Sequence, residues 1–202
     1  MTQTIEESTL ARIYGHGRGW AFSAMDFRDL GRVDMALLRL NKAGTIRRVL
    51  RGLYDYPRYS DLLKQDLAPD IHQVAQALAR KFNWRIHPDG TAAMNLLGLS
   101  TQVPGQYVYQ SDGPNRDYVV GKTKLLFKNS ALKEVGFRHL ESGVIVQALK
   151  AIGEERIDKN TTEKIREWLP ANRRAKVLKD TERVTAWVYD AIKRICRENE
   201  LG

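Results

Sequence analysis

Between Trp20 and Pro57 the spacing of apolar residues changes in a way that marks out successive elements. Val33, Ala36, Leu37 and Leu40 recur at three- and four-residue intervals, so a helix through them turns all four inward. Arg32, Asp34, Met35, Arg39 and Lys42 then lie mostly on the opposite face. A shorter helix is expected just before it, from Ala24 to Leu30. Ser23 stands at its N-cap, where the hydroxyl can accept from the Asp26 N–H, and Asp26 adds negative charge to the first turn. Gly31 supplies the tight turn between the helices, and Gly44 closes the second. Beyond it, Thr45 to Leu50 and Leu53 to Tyr56 are two β-prone runs around Arg51-Gly52, with Arg47, Arg48 and Arg51 on or near the tip.

From Arg58 to Leu67 charge is mixed and no period is visible, whereas Ala68-Pro69-Asp70 reads as a fresh helix start with proline in the first turn. The domain boundary is therefore expected there, dividing the chain into residues 1–67 and 68–202. Ile71, Val74, Ala75, Leu78, Ala79 and Phe82 form the stripe of the next helix. A strand is expected at Trp84 to His87, and after the turn Pro88-Asp89-Gly90 a helix through Leu97 capped by Thr91. Tyr107 to Tyr109, Tyr118 to Val120 and Lys124 to Phe127 have period two and predict a small antiparallel meander. Helical stripes return at Leu140 to Ile152, at a helix capped by Thr161 or Thr162 and running through Trp168, after Pro170, and from Thr181 to about Asn199. The fold class is α+β: an N-terminal helix-turn-helix with a hairpin, then a mixed domain with a small sheet and C-terminal helices.

Composition narrows the class of function. With 202 residues, 43% of them hydrophobic, the chain can build two cores and is not disordered. A net charge of +9 points to an anionic partner, since a basic surface gains affinity by releasing counterions from nucleic acid, although an anionic membrane would also attract it. No apolar run approaches a membrane span, and Met1 to Trp20 lacks a signal-peptide core, so a cytoplasmic protein with no membrane partner is expected. The single cysteine, Cys196, lies beside an apolar stripe and reads as a small buried hydrophobe.

Chemistry-bearing constellations are few. His16, His72, His87 and His139 fall in separate elements without a partner at metal-ligand spacing, and no nucleophile and base can be paired. No cofactor and no catalysis are expected. Gly15-His16-Gly17-Arg18-Gly19 is a loop rather than a phosphate-binding turn after a strand. The order of cap, turn, helix and basic hairpin is that of a winged helix-turn-helix reading double-stranded DNA. Arg32, Met35, Arg39 and Lys42 would enter the major groove, Arg47, Arg48 and Arg51 would meet backbone or minor groove, and Ser23, which caps the supporting helix, is counted with them among the DNA-binding residues. An RNA-binding protein or an enzyme using the same module for docking is the alternative.

Two strings carry a family resemblance. The first is Ala36-Leu37-Leu38-Arg39-Leu40-Asn41-Lys42-Ala43-Gly44-Thr45-Ile46-Arg47-Arg48 followed by Arg51-Gly52-Leu53-Tyr54. The second is Pro88-Asp89-Gly90-Thr91-Ala92-Ala93-Met94-Asn95-Leu96-Leu97-Gly98-Leu99-Ser100-Thr101-Gln102-Val103-Pro104, then Tyr109 and Asp112-Gly113-Pro114. Together they resemble the AbiEi family, antitoxins of type IV toxin–antitoxin systems. The resemblance implies a winged helix that represses its own operon; since one winged helix covers a single half-site, operators for such proteins tend to be inverted repeats. It also implies a C-terminal domain that counteracts a nucleotidyltransferase-like toxin without a stable complex. Within that domain Arg173, Arg174, Lys176, Lys179, Arg183, Lys193, Arg194 and Arg197 sit outside the apolar stripes and form a basic face for RNA or an acidic partner, or a merely solvated one. Asn95, Ser100, Thr101 and Gln102 interrupt an apolar stretch and read first as internal caps.

Overall fold

The computed structural model describes residues 4–101, 104–130 and 137–197, and its architecture is α+β. The chain divides into two compact units: residues 1–84 with 118–125, and residues 85–117 with 126–202. No helix among the described residues is long and apolar enough to cross a membrane.

The first unit opens with a helix that the sequence pattern did not announce, α1 (Ile5–His16). A reciprocal cap starts it: the Glu7 N–H donates to the Thr4 hydroxyl at 3.2 Å and the Thr4 N–H to the Glu7 carboxylate at 2.8 Å. Strand β1 (Ala21–Phe22) follows, then a 3-10 segment (Ala24–Leu30) bent at Phe27, and α2 (Asp34–Lys42). Gly31 between them has a positive φ of 86°, a conformation that suits glycine. Strands β2 (Arg47–Leu50) and β3 (Leu53–Asp55) form the expected hairpin. β3 is central, pairing antiparallel with β2 on one side and β1 on the other, with Phe22 opposite Tyr54. Ile13, Phe22, Phe27, Val33, Leu37, Leu40 and Ile46 make the core of these elements. Trp20 seals it, stacked on His16 at 3.8 Å and set edge-on to Phe27 at 5.8 Å.

The stretch from Arg58 to Leu67, where no period is visible, forms a two-stranded ribbon, β4 (Tyr59–Ser60) with β5 (Gln65–Asp66). Next comes α3 (Ile71–Phe82), capped by Asp70, whose carboxylate accepts from the N–H groups of His72 and Gln73. The expected boundary after residue 67 is corrected here, because α3 belongs to the first unit. It packs on β1, the 3-10 segment and β3. Arg80 forms an ion pair with Asp26 and donates to the Ala21 carbonyl at 2.8 Å.

In the second unit β6 (Ile86–Pro88) leads to α4 (Gly90–Leu96). Asp89, not Thr91, caps α4 and accepts from the Ala92 N–H at 2.9 Å. The four-stranded sheet that contains β6 has the order β6-β7-β9-β8, with β7 (Gln106–Ser111), β8 (Arg116–Val120) and β9 (Thr123–Asn129); residues 118–125 of β8 and β9 are grouped with the first unit. This departs from a simple meander, since β9 rather than β8 lies beside β7. Helix α5 (Leu140–Ile152) carries the core, with Val144, Ile145, Val146, Ala148 and Leu149 buried. Gly143 lets it approach β6: a Cβ there would collide with the His87 imidazole.

Three helices complete the unit: α6 (Lys159–Trp168), α7 (Ala171–Asp180) and α8 (Ala186–Cys196). Asp158 caps α6 through the Thr161 N–H at 2.7 Å, so neither threonine is the cap. The last helix begins later than Thr181 because that side chain is buried at the end of α7, donating to the Val177 carbonyl at 2.8 Å. Asn199 lies outside the described residues. Cys196 is buried in the core cluster, and burial pushes its thiol up.

Candidate nucleic-acid interface

Helix α2 is two-faced as its spacing requires. Val33 just ahead of it, with Ala36, Leu37 and Leu40, is buried, while Arg32, Met35, Arg39 and Lys42 are exposed, Met35 by 59%. Their states differ. Arg39 forms an ion pair with Glu6 of α1 at 3.2 Å, whereas Arg32 and Lys42 have no ion-pair partner among the described residues. A groove of about 540 Å³ lies beside them, with Glu6, Arg32, Met35 and Arg39 on its walls.

Ser23 is corrected as a candidate contact. It is buried, its N–H donates to the Asp26 carboxylate at 2.8 Å and its hydroxyl reaches the same oxygen at 3.4 Å. The Asp26 N–H turns back to the Ser23 side chain and carbonyl, so the expected cap is present and the Asp26 carboxylate reciprocates it. Ser23 holds the 3-10 segment in place and presents nothing to a ligand.

The three hairpin arginines also separate. Arg47 turns inward and donates to both oxygens of Asp55, at 3.0 and 2.6 Å, and to the Leu67 carbonyl at 2.9 Å. The Asp55 side chain is 2% exposed and that of Arg47 31%. Burial pushes the Asp55 carboxyl above its ordinary range although the guanidinium opposes it. A group so occupied cannot serve as a phosphate contact, and the expectation for Arg47 is corrected accordingly. Arg48 in β2 and Arg51 at the turn are exposed and have no ion-pair partner among the described residues.

Sequence reasoning missed Lys81. From α3 its ammonium donates to the Arg51 carbonyl at 3.0 Å, and a Cβ on Gly52 would lie 3.1 Å from it. Partial burial and the nearby Arg51 charge lower its pKa. Nothing local in the sequence marks this residue, because its role depends on α3 folding back onto the hairpin. Arg18 is similarly tied down, 4.7 Å over the Tyr56 ring and donating to the Pro57 carbonyl at 2.8 Å. The surface this leaves is a helix face with Arg32, Met35, Arg39 and Lys42 and a braced turn with Arg48 and Arg51. Guanidinium groups so presented suit guanine edges and phosphates.

The polar stretch after α4 is internal in part: Asn95 accepts from the Tyr107 hydroxyl at 2.9 Å, tying α4 to β7. Gln102 lies outside the described residues. The expected C-terminal basic face is broken up. Arg173 binds both carboxylate oxygens of Glu141, at 2.8 and 3.0 Å, and holds that carboxyl below its ordinary value. Lys193 pairs with Asp190. Arg174 is half-buried, while Lys176, Lys179 and Arg183 line a cleft.

The model of a family described as being of unknown function, DUF6088, matches residues 10–177. The chain belongs to this family. The match runs from within α1 to Val177 in α7, so the family spans both units rather than the helix-and-hairpin part alone. No curated protein matches the chain. Among solved structures it is similar to the RV2827C protein from Mycobacterium tuberculosis, with 12% identity and a TM-score of 0.38 over 97% of this chain and 77% of that one.

Proposed function

We propose that this member of the DUF6088 family is a winged helix-turn-helix DNA-binding autorepressor and the antitoxin of a type IV toxin–antitoxin system, working in the cytoplasm. One observation carries the DNA half: helix, short strand, 3-10 segment, helix and hairpin follow in the order α1, β1, α2, β2, β3, with β1 paired to β3. That arrangement leaves one helix face and one basic turn free to meet a duplex. Arg32, Met35, Arg39 and Lys42 read bases, and Arg48 and Arg51 meet phosphates or the adjacent minor groove. The antitoxin half rests on the AbiEi-like strings, Asn95 to Pro104 above all, and opposes a nucleotidyltransferase-like toxin without forming a stable complex with it.

A footprint on the DNA upstream of its own gene tests the first half. The wild type is expected to protect an inverted repeat, and Arg48→Ala with Arg51→Ala to weaken all sequences alike. Losing two phosphate contacts flattens the dependence of log affinity on log salt by about 1.8, at roughly 0.9 per phosphate. Equal affinity for operator and random DNA in the wild type would remove specific reading. For the second half, the double variant is expressed from an unrelated promoter together with a nucleotidyltransferase-like protein encoded beside the gene. Restored growth is expected, and toxicity persisting at normal protein levels would refute protection independent of DNA binding.

A further inference from the structure

The second unit contains a cleft of about 980 Å³ that the DNA reading leaves unused. Its walls come from the residues leading into α5, from α5 itself, from α7 and from the connection between α7 and α8. Arg138, Lys150, Lys176, Lys179 and Arg183 line it against two carboxylates, Asp180 and Glu182, a net of +3. None of the five cations forms an ion pair among the described residues.

Asp180 does not neutralise them freely. Its carboxylate accepts from the backbone N–H groups of Arg138 and His139, both at 3.1 Å, and so joins the end of α7 to the start of α5. Burial works against its charge, but hydrogen bonding outweighs it, that from these two N–H groups included, and keeps the carboxyl below its ordinary value. The acid is therefore part of the wall, and the cations face the opening with little to balance them.

The rest of the lining is apolar in part: Phe137 and Val184 pack against the core cluster and border the same cleft. A concavity of this volume is at the upper end of small-ligand sites, and clustered Lys and Arg select phosphate groups. We propose that this cleft binds a phosphorylated nucleotide, its phosphate chain held by Lys176, Lys179 and Arg183 and its nucleoside lying toward Phe137 and Val184. The inference stands apart from DNA binding by the first unit.

Titration calorimetry on the full chain tests it with ATP, GTP, CTP, UTP, adenosine, inorganic triphosphate and an oligouridylate of about 12 nucleotides, a length that suits single-strand sites. Saturable binding of at least one nucleoside triphosphate is expected at one site per chain, tighter than adenosine or inorganic triphosphate. Lys176→Glu with Lys179→Glu should weaken it about ten-fold or more, as removal of charge-assisted bonds does. Lys193→Glu with Arg194→Glu, on α8 outside the cleft, and the Arg48→Ala with Arg51→Ala variant should leave it within about two-fold, the range of surface changes. Circular dichroism checks folding, and Lys150→Gln with Arg183→Gln replaces the first pair if that fails. Absence of saturable binding, affinity unchanged by both cleft pairs, equal affinity for inorganic triphosphate, or binding of the oligouridylate alone would each overturn the proposal.

Discussion

Replacing Arg47 with alanine is expected to lower the free energy of unfolding by about 2 to 3 kcal/mol, while Arg48→Ala changes it by less than about 0.5. The contrast comes from where the two guanidinium groups lie. Arg47 meets a carboxylate that is almost wholly buried, and removing it strands that charge next to the core while also freeing the Leu67 carbonyl. A fully enclosed pair broken from one side costs about 3 to 5 kcal/mol, and the 31% exposure of Arg47 reduces this because water can reach the site. Urea unfolding followed by circular dichroism measures the difference. Asp55→Asn beside Arg47→Ala provides the control: the double variant should recover part of the loss, because the buried negative charge is then gone. Equal stability of Arg47→Ala and Arg48→Ala would return Arg47 to the set of free surface cations.

Leu37→Ala should cost more, about 2 to 5 kcal/mol, from lost transfer energy and the cavity left behind. Leu37 is 1% exposed in the core formed with Phe22, Phe27 and Ile46. Its neighbour Leu38, 40% exposed, should tolerate alanine with a change of about 0.5 kcal/mol or less. Thermal unfolding distinguishes the two, and DNA retardation at a temperature where Leu37→Ala remains folded gives a second readout. If operator affinity at that temperature is unchanged, the core supplies only stability. If it drops, the mounting of α2 also sets the positions of Met35 and Arg39. A Leu38→Ala loss as large as that of Leu37→Ala would contradict the inward face assigned to α2.

Much of this fold is legible from spacing. The stripe from Val33 to Leu40, the glycine turn at Gly31, the Arg51-Gly52 hairpin and the α5 core all fall where period and turn chemistry place them. Helix α1 escaped because its fully buried side chains are only Thr9 and Ile13; it is held by a cap and by partial packing rather than by a continuous stripe. Arg47 could not be distinguished from Arg48 because period two is silent about which cation meets a buried acid eight residues away. The β7-β9 pairing is likewise non-local, and no turn residue encodes it. The cleft combines Arg138, Lys150 and Lys176, residues far apart in the chain, so it exists only once α5 and α7 are packed.

Helix α3 sets where the protein can be cut. A piece ending at residue 67 would keep every proposed DNA contact yet lose Arg80 from Asp26 and Lys81 from the Arg51 carbonyl, and the turn that carries Arg51 would be left without its prop. A piece beginning at Pro69 would have the opposite problem: Val74, Ala75 and Leu78, buried in the intact chain, would lose the strands they cover. An orphaned apolar stripe of this kind drives association between copies. Grafting the DNA-reading part onto another protein therefore means carrying α3 with it.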